Sequence, residues 1–384
     1  MKKNGLLTIL VVPFLLTSCG TVSKYAEHLD DYVFTMKYHQ NFNILQLTDI
    51  HWNVNTSTYE SKNYLEKVIK EADAHIKASQ GANAKIDLVE LTGDMFMLSN
   101  AFHVDSFLKF FDEQAEKYGF EYASIWGNHD RHGMYNPDWL GKKFASAKYS
   151  IYYEANDDLY GRSNFIINLT ENGEKGSPVK WQISNLDSGA SFSESPASPF
   201  RDYDYIRDDQ LSWWSKEHEA AGADVPGIAY YHIPQDENQK LYDQTHGGGA
   251  TYKNKFFKLE GFADNGQEKY ASAFLEFAKD NNLRGAFMGH AHNVDWTVQW
   301  DELIVGLGVK TGIELYYAHI DASSDDPAVK EGLASTGINE NFDLIGASLV
   351  TITDAEDDIQ GKFDLEHLYL NERKSGDFVR WVKF

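Results

Sequence analysis

Nine side chains able to bind metal or move protons stand in five short polar stretches: Asp49-Ile50-His51, Gly93-Asp94, Gly127-Asn128-His129-Asp130, His232 and Gly289-His290-Ala291-His292. Imidazole and carboxylate donors suit Zn, Fe or Mn ions. A carboxylate such as Asp94 can bridge two ions held about 3.5 to 4 Å apart, and such a pair can clamp a phosphate and lower the pKa of water between them toward neutrality. Taken singly, none of the stretches is specific. A Gly-Asp pair after a strand is ordinarily a turn, and an Asp-x-His or His-x-His is ordinarily a surface or satisfied core pair. Their order and their shared context carry the information.

The context is a set of apolar strands, each ending where one stretch begins. Ile44 to Leu47 reads as a buried strand, then Thr48 and Asp49 follow. Tyr64 to Ala78 places Leu65, Val68, Ile69, Ala72 and Ile76 at helical spacing, and the strand Ile86 to Leu91 runs into Gly93-Asp94. A helix from Phe102 to Tyr118 and a strand from Tyr122 to Trp126 lead to Gly127-Asn128-His129-Asp130. Further strands are expected at Phe165 to Leu169, Trp181 to Leu186, Gly227 to Tyr231 before His232, and Gly285 to Met288 before Gly289, with helices at Asp208 to Ala221 and Ser272 to Asp280. Alternating segments at Glu302 to Val309, Ala347 to Thr353, Phe363 to Tyr369 and Phe378 to Val382 predict a second sheet. Trp52, Trp213, Trp214 and Trp296 are expected in the core. Polar loops at the carboxyl ends of strands are where α/β folds place their chemistry.

In this order the blocks resemble those of the calcineurin-like metallophosphoesterases: Asp-x-His, Gly-Asp, Gly-Asn-His-Asp/Glu, a lone His, and Gly-His-x-His. The resemblance covers residues 43 to about 310. It implies a four-layer α/β/β/α sandwich, two mixed β-sheets flanked by helices, over residues 41–384. It also implies hydrolysis of phosphate esters at a dinuclear centre, with a hydroxide bridging the metals as nucleophile. Carried across residue by residue, Asp49, His51 and His292 would hold one metal, Asn128, His232 and His290 the other, and Asp94 would bridge them. His129 would sit over the phosphate to stabilise charge or protonate the leaving oxygen, and Asp130 would orient it.

The segments Asn185 to Gly189, Tyr203 to Trp214 and His232-Ile233-Pro234 look like the purple-acid-phosphatase-like proteins of plants and the related fungal cell-cycle phosphatases. The tyrosine that binds ferric iron in the true purple enzymes is replaced by Met97. Phosphomonoesters are therefore the favoured substrates. A phosphodiesterase of the acid-sphingomyelinase-like or nucleotide-cleaving type is the alternative, and a non-catalytic lipoprotein that binds metal or phosphate is the rival from another class.

The 384 residues carry a formal charge of −23, which repels polynucleotides, so stable nucleic-acid binding is not expected and small phosphorylated molecules are the expected partners. Lys2, Lys3 and the apolar run from Leu6 to Leu16 have the form of a secretory signal, and Leu16-Thr17-Ser18-Cys19-Gly20 resembles the lipobox of bacterial lipoproteins. Residues 1–18 then form the signal peptide, Cys19 takes a lipid that anchors the protein to a membrane of the cell envelope, and residues 19–40 act as a tether. Cys19 is the single cysteine, so packing and metals, not disulfides, must stabilise the fold. His103 and His132, which flank the metal blocks in sequence, are candidates to line the cleft, whereas Gly247-Gly248-Gly249 lacks the lysine of a phosphate-binding loop and reads as plain loop.

Overall fold

The computed structural model describes residues 32–53, 58–131, 137–153, 159–192, 202–245, 254–262, 274–373 and 376–384. Two mixed sheets make its centre. The seven-stranded sheet has the order β19(Gly376–Lys383), β18(Phe363–Arg373), β17(Gly346–Ile352), β2(Phe42–Leu47), β3(Leu88–Thr92), β4(Glu121–Ile125), β5(Ser150–Ile151). The eight-stranded sheet has the order β1(Val33–Lys37), β6(Phe165–Thr170), β7(Val179–Asn185), β10(Gly227–Tyr230), β12(Leu283–Met288), β14(Leu303–Leu307), β13(Val294–Trp300), β11(Asn254–Lys258). Two short ribbons, β8(Ser191–Phe192) with β9(Asp202–Tyr203) and β15(His319–Ile320) with β16(Phe342–Asp343), lie outside them.

The inner faces of the sheets share one apolar cluster. Ile44, Val89 and Leu349 of the first sheet pack in the same core as Ile167, Ile183, Ile228 and Phe287 of the second. Phe363 meets Trp181 and Phe287 edge-on, with ring centroids 6.5 and 6.0 Å apart. Outside the first sheet lie α1(Thr58–Gln80) and α2(Ala101–Tyr118). Helix α2 starts at Asn100, whose side chain accepts from His103 N, and stops at Gly119, which takes the left-handed φ of 79° that favours glycine. Its buried Val104, Phe107, Leu108, Phe111 and Ala115 recur at three to four residues and form the stripe laid on the sheet. Helix α3(Pro137–Ser146) follows beside it. Over the second sheet, Trp213 and Trp214 of α4(Asp208–Ala221), Leu241 of α5(Asp236–Thr245) and Phe274 of α6(Phe274–Asp280) bury against Tyr231, Met288 and Trp296. Helix α7(Pro327–Thr336) packs on Phe257 and Phe342 at one edge. The four layers expected from the sequence are present, and the four tryptophans lie in the core.

Two expectations change. The segment from Glu302 to Val309 was expected in a sheet with the C-terminal strands; it pairs instead with β12 and β13, while β17, β18 and β19 extend the first sheet beside β2. Alternation of apolar residues identifies a strand but not its partner, because pairing is fixed by contacts remote in sequence. The folded body also reaches back into the stretch assigned to the tether. Strand β1 pairs parallel with β6, and Tyr32 is fully buried against Tyr153 and Trp213. Cys19 and the signal segment lie outside the described residues.

Between the sheets sits a buried carboxyl, Glu90, whose Oε1 accepts from Asn185 Nδ2 across the gap at 3.5 Å while Oε2 has no partner among the described residues. Burial pushes its pKa up to about 8, against an ordinary 4.5, and the Asn185 bond only partly offsets this. Between those two pH values Glu90 is protonated in the fold and ionised in the unfolded chain, so raising pH through this window favours unfolding. At pH 7 the penalty is on the order of 3 kcal/mol. Glu90→Gln should therefore raise the melting temperature at pH 7 and have little effect at pH 4.5; an equal shift at both pH values would show that ionisation of Glu90 is not the cause.

Candidate metal centre

Each of the five polar stretches leaves the carboxyl end of a strand. Asp49 and His51 follow β2, Asp94 follows β3, Asn128 and His129 follow β4, His232 follows β10, and His290 and His292 follow β12. Strands β2, β3 and β4 run parallel, as do β10 and β12, so all five loops emerge at one end. The first three come from one sheet and the last two from the other. The site therefore occupies the seam of the sandwich.

The loops are zippered by their backbones. Asp49 N donates to Gly93 O at 3.1 Å, His51 N to Asp94 O at 2.9 Å and Trp52 N to Met95 O at 2.7 Å. Asp49, His51, Asp94 and His290 all have positive φ, 53°, 52°, 50° and 78°, a costly backbone state for non-glycine residues that the surrounding bonds must enforce. The motif glycines act by having no side chain. A Cβ on Gly127 would run into Asp94 Oδ1 and lie 2.7 Å from His232 Nε2, and one on Gly93 would strike His232 Nδ1.

Two groups of potential ligands result, Asp49, His51 and His292 in one and Asp94, His232 and His290 in the other, with the donor atoms of each within 4.8 Å of one another. His51 Nε2 faces His292 Nε2 at 3.0 Å, and His292 Nε2 lies 3.5 Å from Asp49 Oδ1. In the second group His232 Nε2 lies 3.3 Å from Asp94 Oδ1 and 3.3 Å from Asn128 Oδ1, which brings Asn128 into the set. Asp94 spans the two, because its other oxygen is 3.8 Å from His51 Nε2.

The donors fit metal ions. Both ring nitrogens of buried His290 and Asp49 Oδ1 have no hydrogen-bond partner among the described residues, an arrangement that is unfavourable unless something else meets them. His232 Nδ1 donates to Thr92 O at 2.8 Å, which sets the ring's orientation and turns Nε2 toward Asp94 and Asn128. Burial opposes the Asp49 charge, yet His292, His232 and His51 close by hold its pKa well below the carboxylate range. Asp94 is likewise held low against burial, chiefly by His232. Burial lowers His232, but Asp94 outweighs it and lifts the pKa to about 9; burial and His232 push His290 down to about 3. Such opposed shifts mark a cluster of charges built for more than packing.

His129 belongs to neither group. It is partly exposed in the cleft, its ring 5.1 Å from that of His51 and nearly perpendicular, and its backbone N–H donates to Asp94 Oδ1 at 2.8 Å. Asp130 sits beneath it, with Oδ1 accepting from Phe96 N at 3.0 Å and Oδ2 from Gly127 N at 2.8 Å. These bonds tie the backbone of the loop that carries His129. Burial and then the charge of Asp94 raise the Asp130 pKa to about 8. The next residue, Arg131, clamps both oxygens of Asp187, which also accept from the N–H groups of Arg162, Ser163 and Gly189.

Several residues at the site escaped the sequence reading. Lys310 is buried, its Nζ donates to Asp49 O at 2.6 Å, and burial lowers its pKa to about 8 despite the nearby Asp49 and Asp94. Its one sequence signal was a lysine following the apolar Val305 to Val309. Tyr203, Glu260, Leu315 and Tyr316 join Asp94, Asn128, His129, His290 and His292 around a cleft of about 290 Å³. Tyr203 meets His290 edge-on at 4.3 Å, and Tyr316 lies 4.6 Å from His292. By contrast, His103 stands in the first turn of α2 with its ring bonded to Leu98 O, and is not among the described residues that line this cleft. His132 and Gly247 to Gly249 lie outside the described residues.

A centre of two adjoining histidine and carboxylate groups sharing one aspartate, opened to solvent beside a non-ligand histidine, is suited to metal-assisted attack on a phosphate ester. Residues 42–294 match the model of the Calcineurin-like phosphoesterase family, and the chain belongs to that family of metal-dependent phosphate-ester hydrolases. It is 26% identical over 218 residues to Phosphatase DCR2 of Saccharomyces cerevisiae, a match covering 54% of this chain and 37% of that protein. Among solved structures, a dimetal phosphatase from Danio rerio aligns over 86% of this chain and 93% of its own, at 10% identity and a TM-score of 0.43. Vps29 of Chaetomium thermophilum aligns over 90% and 96%, at 8% identity and a TM-score of 0.33.

Proposed function

We propose that the protein is a phosphomonoesterase of the purple-acid-phosphatase-like branch, without the purple enzymes' tyrosine. The observation that carries this reading is Asp94 spanning two ligand groups with His129 beside them in an open cleft. Asp49, His51 and His292 would hold one ion, Asn128, His232 and His290 the other, with Asp94 between them. Two ions held there would supply Lewis acidity, drawing charge from the phosphoryl oxygens and lowering the pKa of water toward neutrality.

The chain's own side chains do the rest. Thr92 O and Lys310 hold His232 and the Asp49 backbone in place, and Asp49, His51, Asp94 and His232 are themselves buried. His129 faces the cleft with a ring that can donate a proton to the departing alkoxide, so that the alcohol leaves neutral. Preference for monoesters is supported by the Tyr203 to Trp214 and His232-Ile233-Pro234 segments and by the similarity to a yeast phosphatase.

The deciding experiment compares para-nitrophenyl phosphate with bis-para-nitrophenyl phosphate on the chain reconstituted with Mn, Fe, Zn or Ni singly. Faster monoester hydrolysis supports the proposal, and faster diester hydrolysis overturns the phosphatase assignment in favour of a phosphodiesterase. Two bound ions with no hydrolysis of either would leave a binding lipoprotein. We also propose export and lipid anchoring at Cys19, on the strength of the apolar run and the residues around it. Cys19→Ser should move the protein from the membrane to the soluble fraction, and unchanged membrane association would refute a lipid there.

A further inference from the structure

The metal ligands account for the floor of the cleft but not for its walls. Two aromatic rings stand on opposite ligand histidines, Tyr203 on His290 and Tyr316 on His292, and both are substantially exposed, at 37% and 55%. Leu315, also exposed, adjoins Tyr316 with a left-handed φ of 61°, an uncommon state for leucine that turns this loop toward the cleft. Large aromatics left in water beside a reactive centre are costly unless a ligand covers them.

Glu260 completes the wall. Its two oxygens accept from Asn293 N at 2.9 Å and Asn293 Nδ2 at 3.2 Å, so the carboxylate is held in place next to the His292 loop. A carboxylate has about four acceptor positions, and these two bonds leave the others for a ligand. Among the described residues that line the cleft there is no lysine or arginine. A second phosphate or a carboxylate on the alcohol half would thus face the Glu260 carboxylate in a protein of formal charge −23, with Lys258 Nζ engaged by the Glu260 carbonyl at 3.2 Å.

We propose that Tyr203, Tyr316 and Glu260 form a cation-binding cage for the alcohol half of the substrate, and that the substrates are phosphate monoesters of amino or quaternary-ammonium alcohols. Aromatic faces attract a desolvating ammonium through their quadrupoles, and the fixed carboxylate supplies the charge. The inference rests on the phosphomonoesterase reading above. In the reaction water adds its oxygen to phosphorus and the phosphorus–oxygen bond to the alcohol breaks. The alkoxide takes up a proton, and inorganic phosphate and the free amino alcohol leave.

The test uses choline phosphate against 3,3-dimethylbutyl phosphate, which has the same shape with carbon in place of charged nitrogen. For the metal-loaded protein, kcat/KM should favour choline phosphate by about tenfold or more. The ratio should fall toward one in Glu260→Gln and in Tyr316→Leu. Tetramethylammonium chloride should inhibit the wild type competitively at an ionic strength where sodium chloride does not, a readout that needs no variant to fold. Equal rates on the two esters, with para-nitrophenyl phosphate still hydrolysed, would overturn the cage and leave the phosphatase reading intact. Failure on all three esters would overturn the reading beneath it, and the cage proposal with it.

Discussion

Replacing Asp94 with asparagine is expected to cost the protein most of both metal ions and to lower turnover by on the order of 10³. The substitution keeps the shape of the side chain and removes only its charge. That charge faces His232 at 3.3 Å through one oxygen and His51 at 3.8 Å through the other, and so it serves both groups at once. It also accounts for much of the raised His232 pKa, since Asp94 is the chief influence opposing burial there. An amide gives a bridging position one weak oxygen and a nitrogen that cannot ligate. Elemental analysis of protein dialysed after loading with manganese would read the stoichiometry directly. Loss of a single ion, with the other retained at wild-type affinity, would mean that Asp94 belongs to one site and does not join them.

The second large effect belongs to His129. His129→Ala should keep two ions bound while lowering kcat by a factor of roughly 10² to 10⁴. The side chain lies outside both ligand groups, and the backbone bond from His129 N to Asp94 Oδ1 survives the substitution. A ring that protonates the leaving oxygen, as proposed, would make the loss greater for alkyl phosphates, whose alkoxides need a proton, than for para-nitrophenyl phosphate, whose phenolate departs without one. Equal losses on both ester types would assign His129 to charge stabilisation and not to proton donation. A fall in metal content would make it a ligand instead.

Much of this site was legible in the sequence because its parts are local. A polar residue directly after an apolar strand must sit at the end of that strand, and the dipeptide and tripeptide blocks keep that relation whatever the fold does elsewhere. Asp49, His51, Asp94, Asn128, His232, His290 and His292 therefore come together where their strand positions place them. The helices were legible for a similar reason: the apolar stripe of α2 and its Asn100 and Gly119 ends are written within twenty residues.

Other features depend on partners remote along the chain, and no spacing in the sequence announces them. Whether Glu302 to Val309 joins the first sheet or the second is decided by hydrogen bonds to β12 and β13, not by its own alternation. Lys310 reaches the Asp49 carbonyl only because β14 delivers it across 261 positions of sequence. Tyr203 at the end of β9, Glu260 and Tyr316 belong to three separate segments and come together at the His290 and His292 rings and Asn293. The sequence by itself thus determined which candidate ligands come together at the strand ends, because strand ends position them locally. The walls of the cleft were left to tertiary structure, because segments from separate parts of the chain converge only once the two sheets have packed.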